Sequence, residues 1–218
     1  MTVSASSLGS GSVEAGFGTS QSFDTASVTA PAHSLLALWL TDNDGLEPSV
    51  SGLSLTWTKS AEVSYTAGHL VLMTAEVGSS SATGTIAVSY TGAQCAVAYD
   101  LDCVSGDDGE TPSFGASGSF VTNFSNGTGN ASVEFSGPAF YLFGSAASSS
   151  GNFSASPGES PAWTQLAFEQ GYTSGGAFVA VALETQVSPD TSNPEAITDW
   201  SASVWDGGWG AIGVPITA

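Results

Sequence analysis

The sequence predicts an all-β fold: a jelly-roll-like β-sandwich of about twelve strands built from an internal duplication. Three observations carry that expectation. Apolar residues alternate with polar ones in short runs bounded by Gly, Ser, Asn and Asp, and no segment keeps a 3.6-residue apolar stripe. A strand-turn-strand block occurs twice. It reads Trp57-Thr58-Lys59-Ser60-Ala61, Tyr65-Thr66-Ala67-Gly68 and Leu70-Val71-Leu72-Met73, then Trp163-Thr164-Gln165-Leu166-Ala167, Tyr172-Thr173-Ser174-Gly175 and Ala177-Phe178-Val179-Ala180-Val181. Finally, the strands around Leu35 and Ala177 are apolar on both parities, as suits strands covered on both faces.

In chain order, residues 1–15 are Ser/Gly-rich and read as a flexible N-terminal arm or a first edge strand. Residues 17–30 alternate weakly and stop at Pro31, which has no amide to give a central ladder. Residues 35–40 form the first doubly covered strand, closed by the turn Asp42-Asn43-Asp44-Gly45. Residues 53–57 alternate with Leu53, Leu55 and Trp57 on one face, and Ile86, Val88 and Tyr90 repeat the pattern. Cys95, Val97, Tyr99, Leu101 and Cys103 share a strand face; the two thiols are too far apart along a strand to bridge and read as free, buried hydrophobes.

Residues 105–118 are acidic and Gly-rich and connect the halves. The pattern then restarts. Ala131-Ser132-Val133 with Pro138 answers Ala26-Ser27-Val28 with Pro31, Phe140-Tyr141-Leu142-Phe143 answers the first apolar strand, and residues 205–212 answer residues 90–97. The expected organisation is one sandwich domain over 16–218, with repeat halves at about 16–104 and 117–218, rather than two independent beads.

Charge sets the environment. Twenty acidic residues face a single Lys+Arg residue, Lys59, for a formal net charge of −19. Such a surface repels itself in dilute buffer and is relieved where molar salt shortens screening to about 3 Å. It points to a halophilic source and excludes partners that need basic side chains, namely nucleic acid and anionic membrane surfaces. The stretch Met1-Thr2-Val3-Ser4 lacks the basic and apolar regions of a signal peptide, and no apolar run is long enough for a membrane span. A soluble protein without membrane insertion is expected.

Catalytic machinery is not legible. The acids fall mainly in turns (Asp42, Asp44, Asp107, Asp108, Glu110, Asp190, Asp199), and only His33 and His69 are available as bases. No nucleophile-elbow motif accompanies them, so no catalytic residue and no cofactor is assigned. Asp42, Asn43, Asp44 and Glu47 resemble the opening of a calcium loop but lack its closing ligands, so an Asx turn is expected and no metal is assigned. Sequons at Asn123, Asn126, Asn130 and Asn152 mark an exposed region. Ligand binding, if any, is assigned to the Gly-flanked aromatics Trp200, Trp205 and Trp209, whose rings suit sugar faces.

With these blocks in hand, the chain resembles a broad group of β-sandwich structural proteins of tailed phages and haloarchaeal tailed viruses. In that group an apolar "LL-LA" strand precedes a "GWT" strand, a Gly-turn hairpin, and a closing "A-AIA-Y" strand. Here the matching positions are 35–40, Trp57-Thr58, 68–73 and 96–99, and again 140–143, Trp163-Thr164, 175–183 and 211–214, with Thr56 and Ala162 in place of the Gly. The resemblance covers most of the chain through short motifs. It implies a virion component, a capsid-surface turret, decoration or tail-associated protein, partnering itself as a symmetric homo-oligomer and other virion proteins such as the major capsid protein. Assembly in the host cytoplasm and display on the virion surface follow. The alternative is a carbohydrate-binding or adhesin module that recognises host surface glycans.

Overall fold

A computed structural model describes residues 3–14, 20–66, 68–92, 95–106, 109–115, 119–123, 129–134, 140–149, 153–157, 164–172, 180–188, 195–202 and 207–217. Among them the chain is all-β, with nineteen strands and no helix. The first half holds β1 (Val3–Val13), β2 (Ser20–Asp24), β3 (Val28–Ala30), β4 (Ser34–Asp42), β5 (Pro48–Gly52), β6 (Thr58–Tyr65), β7 (Gly68–Glu76), β8 (Ala82–Gly84), β9 (Ile86–Thr91) and β10 (Val97–Gly106). The connector carries β11 (Ser113–Phe114). The second half holds β12 (Ser119–Asn123), β13 (Gly129–Glu134), β14 (Phe140–Ser149), β15 (Phe153–Pro157), β16 (Thr164–Tyr172), β17 (Ala180–Ser188), β18 (Glu195–Ala202) and β19 (Trp209–Thr217).

Two antiparallel sheets form the middle of the molecule. One runs β1-β10-β4-β7-β6; the other runs β11-β19-β14-β17-β16, with β12 joining β19 beside β11. A third sheet, β2-β9-β5, covers the outer face of the first, and a fourth, β13-β18-β15, lies against the second. Adjacent layers bury opposite faces of the same strands, which explains why β4 is buried at every position. Its Leu35, Ala37 and Trp39 face the second inner sheet in a cluster with Leu142, Ala146, Leu183, Ile212 and Val214. Its Leu36, Leu38 and Leu40 face the outer sheet in a cluster with Ile86, Val88 and Tyr90. A sandwich with a single internal core would leave one of these faces wet.

The inner sheets approach closely because the second presents glycine where the first presents bulk. A Cβ on Gly144 of β14 would sit 2.5 Å from the Trp39 ring, and Trp39 is fully buried. Bulges fall at matching places in the two hairpins: the β6–β7 register shifts between Lys59 and Ala61, and the β16–β17 register between Gln165 and Ala167. Each bulge therefore begins one residue after the Thr of a Trp-Thr pair.

Of the two readings of residues 1–15, a flexible arm or a first edge strand, the second holds for β1, which pairs with β10 from Val3↔Gly106 to Val13↔Val97. A bulge between Ser7 and Gly9 reverses the side-chain phase, so Val3 and Ala5 pack on the inter-sheet core while Leu8 and Val13 pack on the outer one. The Ser/Gly composition left both readings of this stretch open, and pairing with β10 decides between them. The alternation at 53–57, by contrast, is not a strand. Leu53 and Ser54 adopt left-handed backbone (φ 57° and 56°), and Leu55 N–H donates to Gly52 O at 3.1 Å, closing a turn. Leu53, Leu55 and Trp57 still pack half-buried on the outer core, so the pattern reported burial without strand pairing.

Candidate functional site

β10 carries the most unusual chemistry. Val97, Leu101 and Cys103 point into the outer core, which turns the alternate positions Ala98, Asp100, Asp102 and Val104 toward the second inner sheet. Asp100 and Asp102 are both fully buried there. Asp100 Oδ1 accepts from Ser7 Oγ at 2.6 Å, and its Oδ2 accepts from Thr185 Oγ1 of β17 at 2.6 Å. Asp102 Oδ2 accepts from Trp39 Nε1–H at 2.9 Å. Its Oδ1 has no other group donating to it.

Burial pushes the Asp102 carboxyl well above the usual carboxylate range, and the neighbouring Asp100 charge pushes it further. Asp100 is also raised by burial, but less, because Ser7, Thr185 and Asp102 all donate to it. Burial and the Asp100 charge both favour the neutral form of the Asp102 carboxyl, which lies beside the better-donated Asp100. The arrangement links β1, β4, β10 and β17, two sheets in all.

Backbone register gives the dyad a reference. The cross-strand row Thr58–Thr74–Ala37–Asp102 in the first inner sheet answers Thr164–Val187–Leu142–Val214 in the second. This register sets Asp102 level with Val214 and Asp100 level with Ile212, both aliphatic residues of the inter-sheet core, three residues away from the matching of 90–97 with 205–212 read from the sequence. Two acids stand where the other half carries two aliphatic residues.

A second polar cluster closes the β4–β5 end. Asp42 is 1% exposed, and its Oδ1 accepts the N–H groups of Asp44 (2.8 Å) and Leu46 (3.2 Å), an Asx turn around Gly45 at φ 68°. Burial raises the Asp42 carboxyl, and these amides together with His69 pull it back. His69 lies between acids, with Nδ1 3.8 Å from Asp42 Oδ2 and Nε2 3.6 Å from Glu62 Oε2, while Nδ1 also meets Leu46 O at 3.3 Å. Lys59 bridges Glu62 and Glu47 at the surface. Asn43 Oδ1 accepts the Ala96 amide at 2.7 Å, tying the turn to the start of β10.

This cluster does not form a nucleophile site. Cys95 is buried, and burial with the charges of Asp42 and Asp44 pushes its thiol up to about 12, so it stays protonated. Cys95 and Cys103 are free thiols. His33 sits in left-handed backbone (φ 57°) and its amide donates to Gly78 O, a turn role. Among the described residues no group of His, Cys, Asp and Glu has the arrangement of a metal site.

The aromatics assigned to ligand binding do not converge in the described structure. Trp209 opens β19, pairs with Ala147 and Asn123, and is only 3% exposed, so its ring faces the protein interior rather than a ligand. Trp200 lies on β18, opposite Gly129 and Ala155, and Trp205 lies outside the described residues. Asn123 and Asn130 fall on β12 and β13, whereas Asn126, Asn152, Asp107, Asp108, Asp190 and Trp163 are outside the described residues. The buried dyad was missed, although its signal was present: acids at alternate positions of a strand that is otherwise apolar on both parities. Compared with known proteins, the chain matches no family model, no curated protein and no solved structure.

Proposed function

We propose that this chain is a non-catalytic structural protein of a halophilic tailed virus, displayed on the particle surface as a turret, decoration or tail-associated component and assembling as a symmetric oligomer. The observation that carries the assembly reading is β1. It is an edge strand of eleven residues, Val3–Val13, and holds no charge and no proline. Soluble proteins usually blunt such edges with charge or Pro, because the open row of amides and carbonyls recruits another strand. The opposite edge, β6, is blunted by exposed Lys59 and Glu62. Part of β1 lies against β16, where Ser10 Oγ donates to Glu169 Oε1 at 2.7 Å, but the strand itself carries no charge or Pro beside the guarded β6, which fits an edge kept for a partner. Other copies of the chain and the major capsid protein are the partners proposed.

The architecture supports a duplicated jelly roll. In the first half the order β1-β10-β4-β7 is covered by β2-β9-β5; in the second, β12-β19-β14-β17 is matched by β13-β18-β15. Both orders follow the two-sheet winding of a jelly roll, with β6 and β16 displaced onto the inner sheets. Shared bulge positions and the parallel cross-strand rows favour duplication over coincidence, and the inter-sheet core favours one folding unit. Net charge −19 suits a surface exposed to brine. Mass spectrometry of purified virus particles from the source tests the reading: peptides of this chain are expected in stoichiometric amounts, and their absence overturns it.

A carbohydrate-binding role is favoured by one feature of its own. A groove of about 570 Å³ is lined by hydroxyl groups and apolar side chains. Glycan binding can coexist with a place on the particle surface.

A further inference from the structure

The groove lies where the first half meets the connector. Ser54, Leu55 and Thr56 from the β5–β6 link form one wall, Thr58 and Glu76 from the ends of β6 and β7 the base, and Ser113 and Phe114 of β11 the other wall. Its volume of about 570 Å³ is in the range of small-molecule sites. Among the described residues lining it, Glu76 is the one that carries a charge. The rest of the lining mixes exposed hydroxyls with the half-buried faces of Leu55 and Phe114, the two chemistries that a sugar ring offers in return.

The backbone supplies an independent reason to look here. Leu53 and Ser54 are consecutive non-glycine residues in the left-handed region. Each such residue is strained relative to right-handed backbone by the clash of its Cβ, and glycine avoids that strain. The chain has 27 glycines, none at these two positions, so the retained side chains need a justification. Leu53 has one, because it packs on the outer core. Ser54 is exposed, and its hydroxyl has no hydrogen-bond partner among the described residues; Ser54 lines the groove. Two anchors hold this strained turn in place: Leu55 N–H and Trp57 Nε1–H both donate to Gly52 O, at 3.1 and 3.4 Å. A Cβ at Gly52 would lie 2.4 Å from Thr85 O, which fixes the entry to the turn. Strain stored in a rigidly held turn beside a cleft is the pattern of a binding site.

We infer that this groove binds a neutral saccharide unit, with Ser54 and Thr56 giving the polar contacts and Leu55 and Phe114 receiving the C–H face. The inference rests on the carbohydrate-binding reading and supplies its site. Saturation-transfer NMR with glucose, galactose, mannose, N-acetylglucosamine and their β-linked disaccharides tests it in molar salt. Wild type is expected to transfer saturation to at least one of these, and Ser54→Gly to weaken binding about tenfold while raising the melting temperature. That split is what a merely structural serine would not give, since relief of strain stabilises the fold. Thr56→Val, on an exposed hydroxyl, is expected to weaken binding with the fold unchanged. If wild type binds and both variants bind equally well, the groove is not the site, although the carbohydrate reading survives. If wild type binds none of the probes, both fall.

Discussion

Replacing Asp102 by Asn keeps the shape of the side chain and removes its ability to ionise. In the Asp102→Asn variant the new amide oxygen accepts from Trp39 Nε1–H as Asp102 Oδ2 does, and the amide nitrogen donates to Asp100 in place of the carboxyl proton. At pH 4 the variant and wild type should be nearly equally stable. The two separate as pH rises. Asp102 has a folded-state pKa raised far above its unfolded value of about 3.9, so unfolding releases a proton at every pH between the two. Wild type then loses stability relative to the variant by about 1.4 kcal/mol per pH unit, starting near the unfolded pKa and ending at the folded one. For a chain of this size that is roughly 3–5 °C of melting temperature per pH unit. Asp42, also raised by burial, is common to both proteins and cancels in the difference; Asp100 titrates together with Asp102, so the slope reports the pair. Differential scanning calorimetry of both proteins from pH 4 to 8 in molar salt gives the result directly. A difference that stays flat across this range, or a variant markedly less stable at pH 7, would refute a protonated Asp102.

Further consequences follow from the packing and the charge. Gly144→Ala forces a methyl against the Trp39 ring and should cost about 1–3 kcal/mol in a denaturant titration; no loss would mean that the inner sheets do not meet there. Trp209→Ala should destabilise the fold by about 3–5 kcal/mol rather than remove a ligand contact, because the ring is buried. Lys59→Met should change the melting temperature little, since its ion pairs with Glu47 and Glu62 are exposed and screened, and a large loss would show a network stronger than its geometry. Melting temperature should climb between about 0.1 M and 3 M KCl as the net charge of −19 is screened, and a salt-independent transition would count against a brine-adapted surface.

The all-β class was legible because period-two alternation and turn residues are local signals. Double coverage of β4 was also legible: Leu35 to Leu40 are apolar on both parities, and only a strand between two cores rewards that. The edge strand β1 was legible only as one of two readings beside a flexible arm, since its pairing depends on β10, far along the chain, and Ser and Gly have little strand preference of their own. At residues 53–57 alternation recorded contact with the outer core, while the left-handed Leu53 and Ser54 broke the strand without a Gly or Pro to announce it. Asp100 and Asp102 passed unremarked because acids in a chain with 20 of them read as surface. What set them apart was Val97, Leu101 and Cys103 on the opposite parity, which left no solvent-facing side for the acids to occupy. The groove was invisible for a different reason: its walls come from the β5–β6 link and from β11, brought together only by the fold.

Sedimentation in molar KCl, comparing wild type with a Ser4→Lys, Ser6→Lys double variant, tests the assembling edge most directly. Both serines are exposed on β1, so the lysines leave the cores untouched and guard the edge as Lys59 guards β6. A discrete oligomer of wild type that dissociates to a folded 21.8 kDa monomer in the variant is the predicted result. A wild-type protein that sediments as a 21.8 kDa monomer at every concentration would contradict the account.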